Sequence, residues 1–334
     1  MNDITKGRLA SCNAVAGLDR RDFLKGATAT FAAGMARPFK AEEGAGCDLL
    51  LLQKEIDAVP GVEFRKFSLA GPAMTVEERD AMYAKWPVLR RYDDAFAKAV
   101  REAKDAVVTD ASRPAVWYVY NMGVLVKTPK AFFSIDLCHR LAPTIADDLD
   151  FAIITHNHLD HYTEAFYQAM NSRRKTVIQN FRDNYGACLH VKGGVGGFSR
   201  GECRYTLKDV AIRTCETNHN HLLRGFVMPV EVHIGDYTIL HVGDTFNTGD
   251  LRPERTPDLF IHHAWCWGDS NQTADGIKAF HPECAVIAHH CELGHNKKAN
   301  VGGSVPLARA YKRKAETEAA GTRALTPFWG DRIA

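Results

Sequence analysis

The sequence predicts an α/β fold in which two sheets are flanked by helices within one domain. Short strand-like runs interleave with helical segments from residue 115 onward, which is the pattern of sheets covered by helices. Hydrophobic residues make up 46% of the chain and charged residues 25%, values that exclude a disordered or fibrous protein. No uninterrupted apolar run reaches about 18 residues, so we expect no membrane-spanning helix.

The amino-terminal residues predict an export signal. Asp19–Lys25 reads D-R-R-D-F-L-K, and the pair Arg20 and Arg21 followed by Phe-Leu-Lys resembles a bacterial twin-arginine signal. A weakly apolar, Ala-rich stretch follows over Ala27–Ala36, and it is too short to span a membrane stably. We therefore expect residues 1–36 to be removed after recognition by the twin-arginine export machinery. The mature protein would then be periplasmic, without stable membrane insertion. An amphipathic helix starting at Asp19 is the alternative.

The charges of the chain nearly cancel. There are 42 basic and 40 acidic side chains, and without residues 1–36 the two counts are equal. A neutral chain exerts no long-range attraction on nucleic acid, so we expect no nucleic-acid partner. Cys12 lies in the signal, and the other cysteines lack metal-ligand spacing such as C-x-x-C. Because twin-arginine export carries chains already folded in the reducing cytoplasm, we expect mostly free thiols.

A linker and a helical extension follow the signal. Residues 37–47 are rich in Pro, Gly and Glu and are predicted to be the linker. Residues 48–110 are predicted to be mainly helical. Thr75, followed by two glutamates, is a typical helix start, and Trp86-Pro87 ends that helix. Asp93–Ala106 is predicted to form a second amphipathic helix, because its apolar residues recur on one face.

Residues 111–334 carry the strand pattern. The predicted strands are Val116–Tyr120, Gly123–Val126, Ala131–Leu137, Phe151–Thr155, Thr176–Gln179, Val210–Cys215, Gly225–Val232, Tyr237–Val242, Asp258–Ile261 and Cys284–Ala288. The predicted helices are Thr163–Ser172, Thr273–Phe280 and Val305–Ala320. Gly193–Gly197 is predicted to be a flexible loop and not a phosphate-binding loop, because no Lys-Ser/Thr follows it.

Metal-binding side chains are concentrated in six consecutive residues. The apolar run Phe151–Thr155 leads directly into His156-Asn157-His158-Leu159-Asp160-His161. Imidazole and carboxylate groups bind zinc, manganese or iron. Alternate side chains of a turn can face the same way. The first two histidines can therefore share one ion while the aspartate and the third histidine reach another. A solvated polar loop is the alternative interpretation.

This H-x-H-x-D-H motif resembles that of the metallo-β-lactamase superfamily, and the resemblance covers roughly residues 115–300. Asp136 resembles the structural aspartate on the strand before the motif, although Leu137 stands where the family has Pro. His219, which follows a predicted strand, resembles the third histidine of the first metal. His221 is the alternative for that position.

Two later segments match the same family in order. Gly243-Asp244-Thr245 resembles the family's G-D-T turn, whose aspartate bridges two ions. Val286-Ile287-Ala288-His289 resembles the segment that carries the last ligand, and His290 is the alternative by a slip of one residue. A lone histidine at a strand end is usually a polar surface residue. Here, however, four segments match the family in the right order, which favours the interpretation that these residues together bind metal.

The resemblance implies a four-layer αββα metallo-β-lactamase sandwich that holds two divalent metal ions, zinc first, with manganese or iron as alternatives. The implied ligands are His156, His158 and His219 for one ion, Asp160, His161 and His289 for the other, and Asp244 between them. In this family a hydroxide held by the ions attacks an acyl or phosphoryl centre. Asp160 is also the candidate catalytic residue, because it could take the proton of the nucleophile.

Within the superfamily the chain is most similar to the ascorbate-6-phosphate lactonase-like branch, because of its late His-x-x-Glu-Leu tail. That branch carries Gly-His-Ala/Ser on its first strand, where this chain has Tyr120-Asn121-Met122-Gly123. Further residues are candidates for substrate contact or for support of the ligands, with purely structural roles as the alternative. They are His221, His262, His263, Trp265, Trp267, His290, Glu292 and His295.

We expect an exported metal-dependent hydrolase whose partner is a small-molecule substrate: an ester, lactone, amide or phosphodiester. One alternative is a phosphodiesterase or nuclease of the same superfamily. The balanced charge and the export signal argue against a nuclease. The other alternative is a non-catalytic metal-binding scaffold. The complete ligand set argues against a scaffold, since such a protein need not keep both ion sites.

Overall fold

The computed structural model describes residues 45–181, 188–189, 202–264, 272–294 and 307–334. These residues belong to one compact unit, Gly44–Ala334. The predicted signal over residues 1–36 and the glycine-rich loop Gly193–Gly197 lie outside the described residues. Trp265, Trp267 and His295 also lie outside them.

The helical extension consists of four helices: α1 (Ala45–Ala58), α2 (Gly61–Ala70), α3 (Val76–Lys85) and α4 (Pro87–Asp105). Helix α1 begins within the range predicted to be the linker. Thr75 caps α3 as predicted: its hydroxyl accepts a hydrogen bond from the Glu78 amide at 3.2 Å, and the Glu78 carboxylate accepts one from the Thr75 amide at 3.0 Å. Helix α4 begins at Pro87, six residues before the predicted start at Asp93, because proline suits the first turn of a helix.

The first sheet has six strands in chain order: β1 (Ala115–Tyr120), β2 (Gly123–Lys127), β3 (Phe132–Ile135), β4 (Phe151–Ile154), β5 (Thr176–Gln179) and β6 (Cys188–Leu189). Strands β1, β2 and β3 pair antiparallel, and β3 to β6 pair parallel. Helix α5 (Glu164–Ser172) connects β4 with β5. Nearly all described residues of this sheet are buried, as expected for strands that are covered on both faces.

The second sheet has seven strands: β7 (Cys203–Leu207), β8 (Val210–Thr214), β9 (Val230–Ile234), β10 (Tyr237–His241), β11 (Leu259–His263), β12 (Cys284–Ala288) and β13 (Arg323–Leu325). Strands β7 to β10 pair antiparallel, and β10 to β13 pair parallel. Helix α6 (Gln272–Phe280) precedes β12, and helix α7 (Leu307–Ala319) precedes β13.

Two sequence expectations are corrected in this sheet. The strand predicted over Gly225–Val232 begins only at Val230, and upstream of it a single bridge joins Thr217 with Val227. The strand predicted over Asp258–Ile261 extends two residues further, so His262 and His263 are the last two residues of strand β11. Both are therefore fixed by sheet pairing and buried.

Alternating side chains place the second sheet between two layers. Ile239, Ile261 and Val286 belong to the large core that also includes the first sheet. Their neighbours Leu240, Phe260 and Ile287 belong to a second core together with residues of α6 and α7. Helix α4 packs on β1 and β2, and α5 packs on β5. The order helix, sheet, sheet, helix confirms the predicted four-layer αββα sandwich. Among the described helices, none combines the length and the apolar character needed to cross a membrane.

Candidate metal centre

The candidate site lies where several strands of both sheets end. The loop after β4 carries His156–His161, the turn after β10 carries Asp244, and the segment after β12 carries His289. Strands β4, β10 and β12 each take part in parallel pairing. The carboxyl ends of parallel strands meet at one edge of a sheet, and that edge is where polar loops can converge.

The first donor group consists of His156, His158, His219 and Asp244, whose ligating atoms all lie within 4.8 Å of one another. Oδ2 of Asp244 lies 3.3 Å from Nε2 of His219 and 3.7 Å from Nε2 of His156. The structure therefore brings His219 to the motif histidines. His221, the alternative, lies outside both donor groups and is exposed.

The second donor group consists of Asp160, His161, His289 and the same Asp244. Oδ1 of Asp244 lies 3.3 Å from Nε2 of His161 and 3.4 Å from Nε2 of His289. Oδ2 of Asp160 lies 3.2 Å from Nε2 of His289. The two oxygens of Asp244 thus face different donor groups, which is the arrangement of a carboxylate that bridges two cations.

Unpaired buried atoms test whether these residues fit a metal. Nε2 of His156, His161 and His289 and Oδ1 of Asp244 are buried, yet they form no well-aligned hydrogen bond with any described residue. Buried polar atoms are normally paired, because an unpaired one loses its interaction with water without compensation. Imidazole nitrogens and carboxylate oxygens are also donors that zinc, manganese and iron accept. The residues fit a pair of divalent cations.

Burial favours the neutral form of two imidazoles of the first group, His156 and His158. Burial lowers the pKa of His156 well below its usual value. Burial, together with the neighbouring His219, lowers the pKa of His158 to about 4. A neutral imidazole keeps a lone pair free for a cation. His156 and His158 can therefore bind a cation at neutral pH without first losing protons.

The second group is charged in the metal-free protein. Burial opposes the charged form of His161, but Asp244, Asp160 and Asp136 outweigh it and raise the pKa of His161. Burial likewise opposes the charge of His289, and Glu292 and Asp244 outweigh it and raise the pKa of that histidine. The same histidines lower the pKa of Asp244 against the effect of burial. Cations can therefore replace protons in this group.

Asp136 supports ligands of both groups. Its Oδ2 accepts a hydrogen bond from Nδ1 of His161 at 2.8 Å and another from the Thr155 hydroxyl at 2.7 Å. The Thr155 hydroxyl in turn lies 3.1 Å from Nδ1 of His156. These contacts leave Nε2 of both histidines free to face Asp244, and such support raises metal affinity. Gly243 lets the turn that carries Asp244 pack directly against Thr155, since an added Cβ would lie 2.7 Å from the Thr155 hydroxyl oxygen.

The late histidines occupy different places. Nε2 of His263 donates a hydrogen bond to the Thr245 carbonyl at 3.0 Å, so His263 holds the turn that carries Asp244. Burial lowers the pKa of His263 to about 4. His290 is fully buried, and its ring centroid lies 6.0 Å from that of Tyr118, outside both donor groups. Oε1 of Glu292 lies 3.0 Å from Nδ1 of His289.

Sequence reasoning missed two contacts in the turn between β1 and β2. The Asn121 amide donates a hydrogen bond to the Asp160 carbonyl at 2.9 Å, and the Met122 carbonyl accepts one from Nε2 of His241 at 2.8 Å. The sequence marked this turn only as a departure from the lactonase-like branch. A contact between residues 39 positions apart leaves no local pattern in the sequence.

A third cluster of metal-binding side chains lies on the second sheet. It consists of Glu231, His233 and Glu254. Arg213 lies 2.9 Å from Glu231, and Arg204 lies 3.0 Å from Glu254. Because guanidinium groups already neutralise these carboxylates, the cluster is an ion-pair network.

Comparisons with known proteins find related folds at low sequence identity. No protein-family model matches the chain, and no curated protein matches it. Igni18, a metallo hydrolase from Ignicoccus hospitalis, is 14% identical, with a TM-score of 0.48 over 66% of this chain and 97% of that chain. CmlA, a diiron β-hydroxylase from Streptomyces venezuelae, is 12% identical, with a TM-score of 0.48 over 77% of this chain and 59% of that chain. A Thermotoga maritima protein assigned to the zinc-dependent hydrolases of the metallo-β-lactamase superfamily is 13% identical, with a TM-score of 0.37 over 60% of this chain and 85% of that chain.

Proposed function

We propose that this chain is an exported metal-dependent hydrolase of the metallo-β-lactamase type. It acts on a small ester, lactone, amide or phosphodiester and uses two divalent ions, zinc first, with manganese or iron as alternatives. The observation that carries the proposal is Asp244, whose two oxygens face two separate groups of histidines. A purely structural carboxylate would be paired with one neighbour and would not need histidines on two sides.

Two divalent ions held by these two groups would supply Lewis-acid polarisation of the scissile carbonyl or phosphoryl group and a water whose pKa is lowered to about 7. The chain supplies the geometry for this chemistry. The first group offers three imidazoles and one carboxylate oxygen, and the second offers two imidazoles and two carboxylates. Asp136 fixes the ring of His161, and Glu292 lies against the ring of His289.

Asp160 is the proposed proton acceptor. Its side chain is 12% exposed against 4% for Asp244, so it is the carboxylate of the second group that solvent and substrate reach. Burial raises the pKa of Asp160, but His161 and His289 outweigh this and lower it below its usual value. The carboxylate is therefore ionised at neutral pH and can accept a proton from the nucleophile.

The proposed substrates are esters, lactones, amides and phosphodiesters. The contact between His289 and Glu292 supports a relationship to the lactonase-like branch, whose tail contains both residue types. Tyr120–Gly123 departs from the Gly-His-Ala/Ser pattern of that branch at the first strand. We therefore propose lactones as one of several substrate classes. Export by the twin-arginine route, and hence a periplasmic location, rests on Arg20 and Arg21.

Metal analysis combined with a substrate panel tests the proposal. We expect two divalent ions per chain, turnover of at least one ester, lactone, amide or phosphodiester, and loss of turnover with a chelator. His219→Ala should lower the metal content and reduce turnover by at least about 100-fold, because it removes a donor of the first group. His221→Ala is the matched control, since His221 is exposed and lies outside both groups. It should keep the metal content.

Two outcomes would contradict the proposal. Full metal content in His219→Ala would show that the first donor group does not hold an ion. Two bound ions without turnover on any of the four bond types would favour the metal-binding scaffold.

A further inference from the structure

The turn between β1 and β2 places a strained asparagine beside the second donor group. Asn121 has a φ of +57°, a left-handed conformation that non-glycine residues seldom adopt, and its side chain is fully buried. Gly123 allows the turn to pack against the backbone of Asp136, because an added Cβ would lie 2.8 Å from the Asp136 carbonyl oxygen. Strained backbone of this kind is concentrated at functional sites.

Asn121 contacts two residues of the second donor group at once. Its side-chain Nδ2 donates a hydrogen bond to the Asp160 carbonyl at 2.9 Å and lies 3.3 Å from Oδ2 of the Asp160 carboxylate. Its backbone carbonyl accepts a hydrogen bond from the His289 amide at 2.9 Å. Asp160 follows a strand of the first sheet and His289 follows a strand of the second, so one residue ties together ligand segments from both sheets.

The same contacts orient the Asp160 carboxylate. The oxygen that Nδ2 approaches, Oδ2, is the one that lies 3.2 Å from Nε2 of His289. An amide donor occupies one lone pair of this oxygen and leaves another for a cation. Oδ1 of Asn121 is buried and has no hydrogen-bond partner among the described residues. A buried amide that leaves its acceptor unpaired is poorly explained by stability alone.

We propose that Asn121 is a positioning residue for the second metal ion: its amide fixes the Asp160 carboxylate, and its backbone fixes His289. The inference rests on the proposed binuclear site. Removing the amide should weaken binding of the second ion and leave the first ion nearly unaffected. The reason is that Asn121 forms its hydrogen bonds with Asp160 and His289, which belong to the second donor group.

Asn121→Gly and Asn121→Ala together test the inference on the full chain. Both variants lack the amide, but glycine keeps the left-handed backbone without strain, whereas alanine does not. Stepwise titration of the metal-free protein with zinc measures the two affinities separately. We expect both variants to lose about 10- to 100-fold in affinity for the second ion and to change the first affinity by less than about threefold. Thermal unfolding of the metal-free protein should show a larger loss of stability in Asn121→Ala than in Asn121→Gly.

Lys208→Gly is the matched control, because Lys208 has a φ of +56° in an exposed turn between β7 and β8. It should leave both affinities unchanged. Equal losses in both metal affinities of the Asn121 variants, in proportion to lost thermal stability, would reduce Asn121 to a structural turn residue. Unchanged affinities would also overturn the inference. A wild-type chain that binds fewer than two ions would instead contradict the proposed function itself.

Discussion

Two adjacent histidines with the same chemistry have different environments in this protein. His289 has a φ of +59°, and this left-handed conformation turns the chain after β12 so that its ring reaches Asp160 and Asp244. His290 is packed in the interior near Tyr118, and burial lowers its pKa to about 4. We expect His289→Ala to lose one ion of two. We expect His290→Phe, which keeps an aromatic ring, to retain both.

Metal stoichiometry of the two purified variants checks this prediction, and thermal unfolding shows whether each variant is folded. Loss of an ion in His290→Phe together with full metal content in His289→Ala would mean that the chain register after β12 is wrong by one residue. The position of Glu292, 3.0 Å from His289, would then need revision as well.

A local sequence pattern can predict which side chains lie close together, whereas a contact between distant residues leaves no such pattern. His156, His158, Asp160 and His161 lie within six residues, so their spacing after an apolar strand already suggests that they converge. Nothing near Asn121 in the sequence announces its contact with Asp160, because the two residues meet only after the sheet has formed. Its one signal was the departure of Tyr120–Gly123 from the lactonase-like pattern.

At the level of elements, a buried ion pair fastens the helical extension to the loop that follows β3. Nε of Arg140 lies 2.9 Å from both carboxylate oxygens of Asp93 in α4, and its guanidinium carbon lies 4.2 Å from the centre of the Phe67 ring. Tyr83 also donates a hydrogen bond to Asp93. Both members of the pair are only 4% exposed. Burial raises the pKa of Asp93, and the hydrogen bonds from Arg140 and Tyr83 oppose that rise.

Arg140→Met should destabilise the fold by about 3–5 kcal/mol, because it leaves the Asp93 carboxylate buried without its partner. The double variant Arg140→Met with Asp93→Leu should recover most of that loss, since it removes both charges. Urea unfolding of the two variants and the wild type, under the same metal conditions, measures the free energies. A double variant as unstable as the single one would show that the guanidinium contacts with Phe67 and the Gly71 carbonyl matter more than the charge pair.

Element boundaries were predicted best where residues cap or break a chain segment. The capping box at Thr75 marks the start of α3. Strand β7 (Cys203–Leu207) was not predicted, because its side chains are only partly buried and its sequence mixes charged and apolar residues. Strand β13 has three residues and gains its stability from parallel pairing with β12, which a sequence window cannot show.

At the scale of the whole molecule, the four-layer architecture follows from the alternation of strands and helices and was predictable. Each sheet must bury two faces, so strands such as Phe151–Ile154 and Cys284–Ala288 are continuously apolar and are easy to recognise. The packing of α1 and α4 was not predictable beyond their helical character. Their partners are distant in sequence: α1 contacts α7, and Asp93 of α4 pairs with Arg140 of the loop after β3.

The twin-arginine motif predicts where the whole protein is located. Arg20→Lys combined with Arg21→Lys should leave the chain in the cytoplasm with residues 1–36 uncleaved, because lysine keeps the positive charge but loses the guanidinium fork. Fractionation of bacterial cells, with immunodetection and intact-mass measurement of both fractions, provides the readout. Lys6→Arg, also within the first 36 residues, is the control for a basic substitution outside the motif and should be exported normally. Undiminished export of the double variant would point to another route, and equal retention of wild type and variant would mean that these residues carry no export signal.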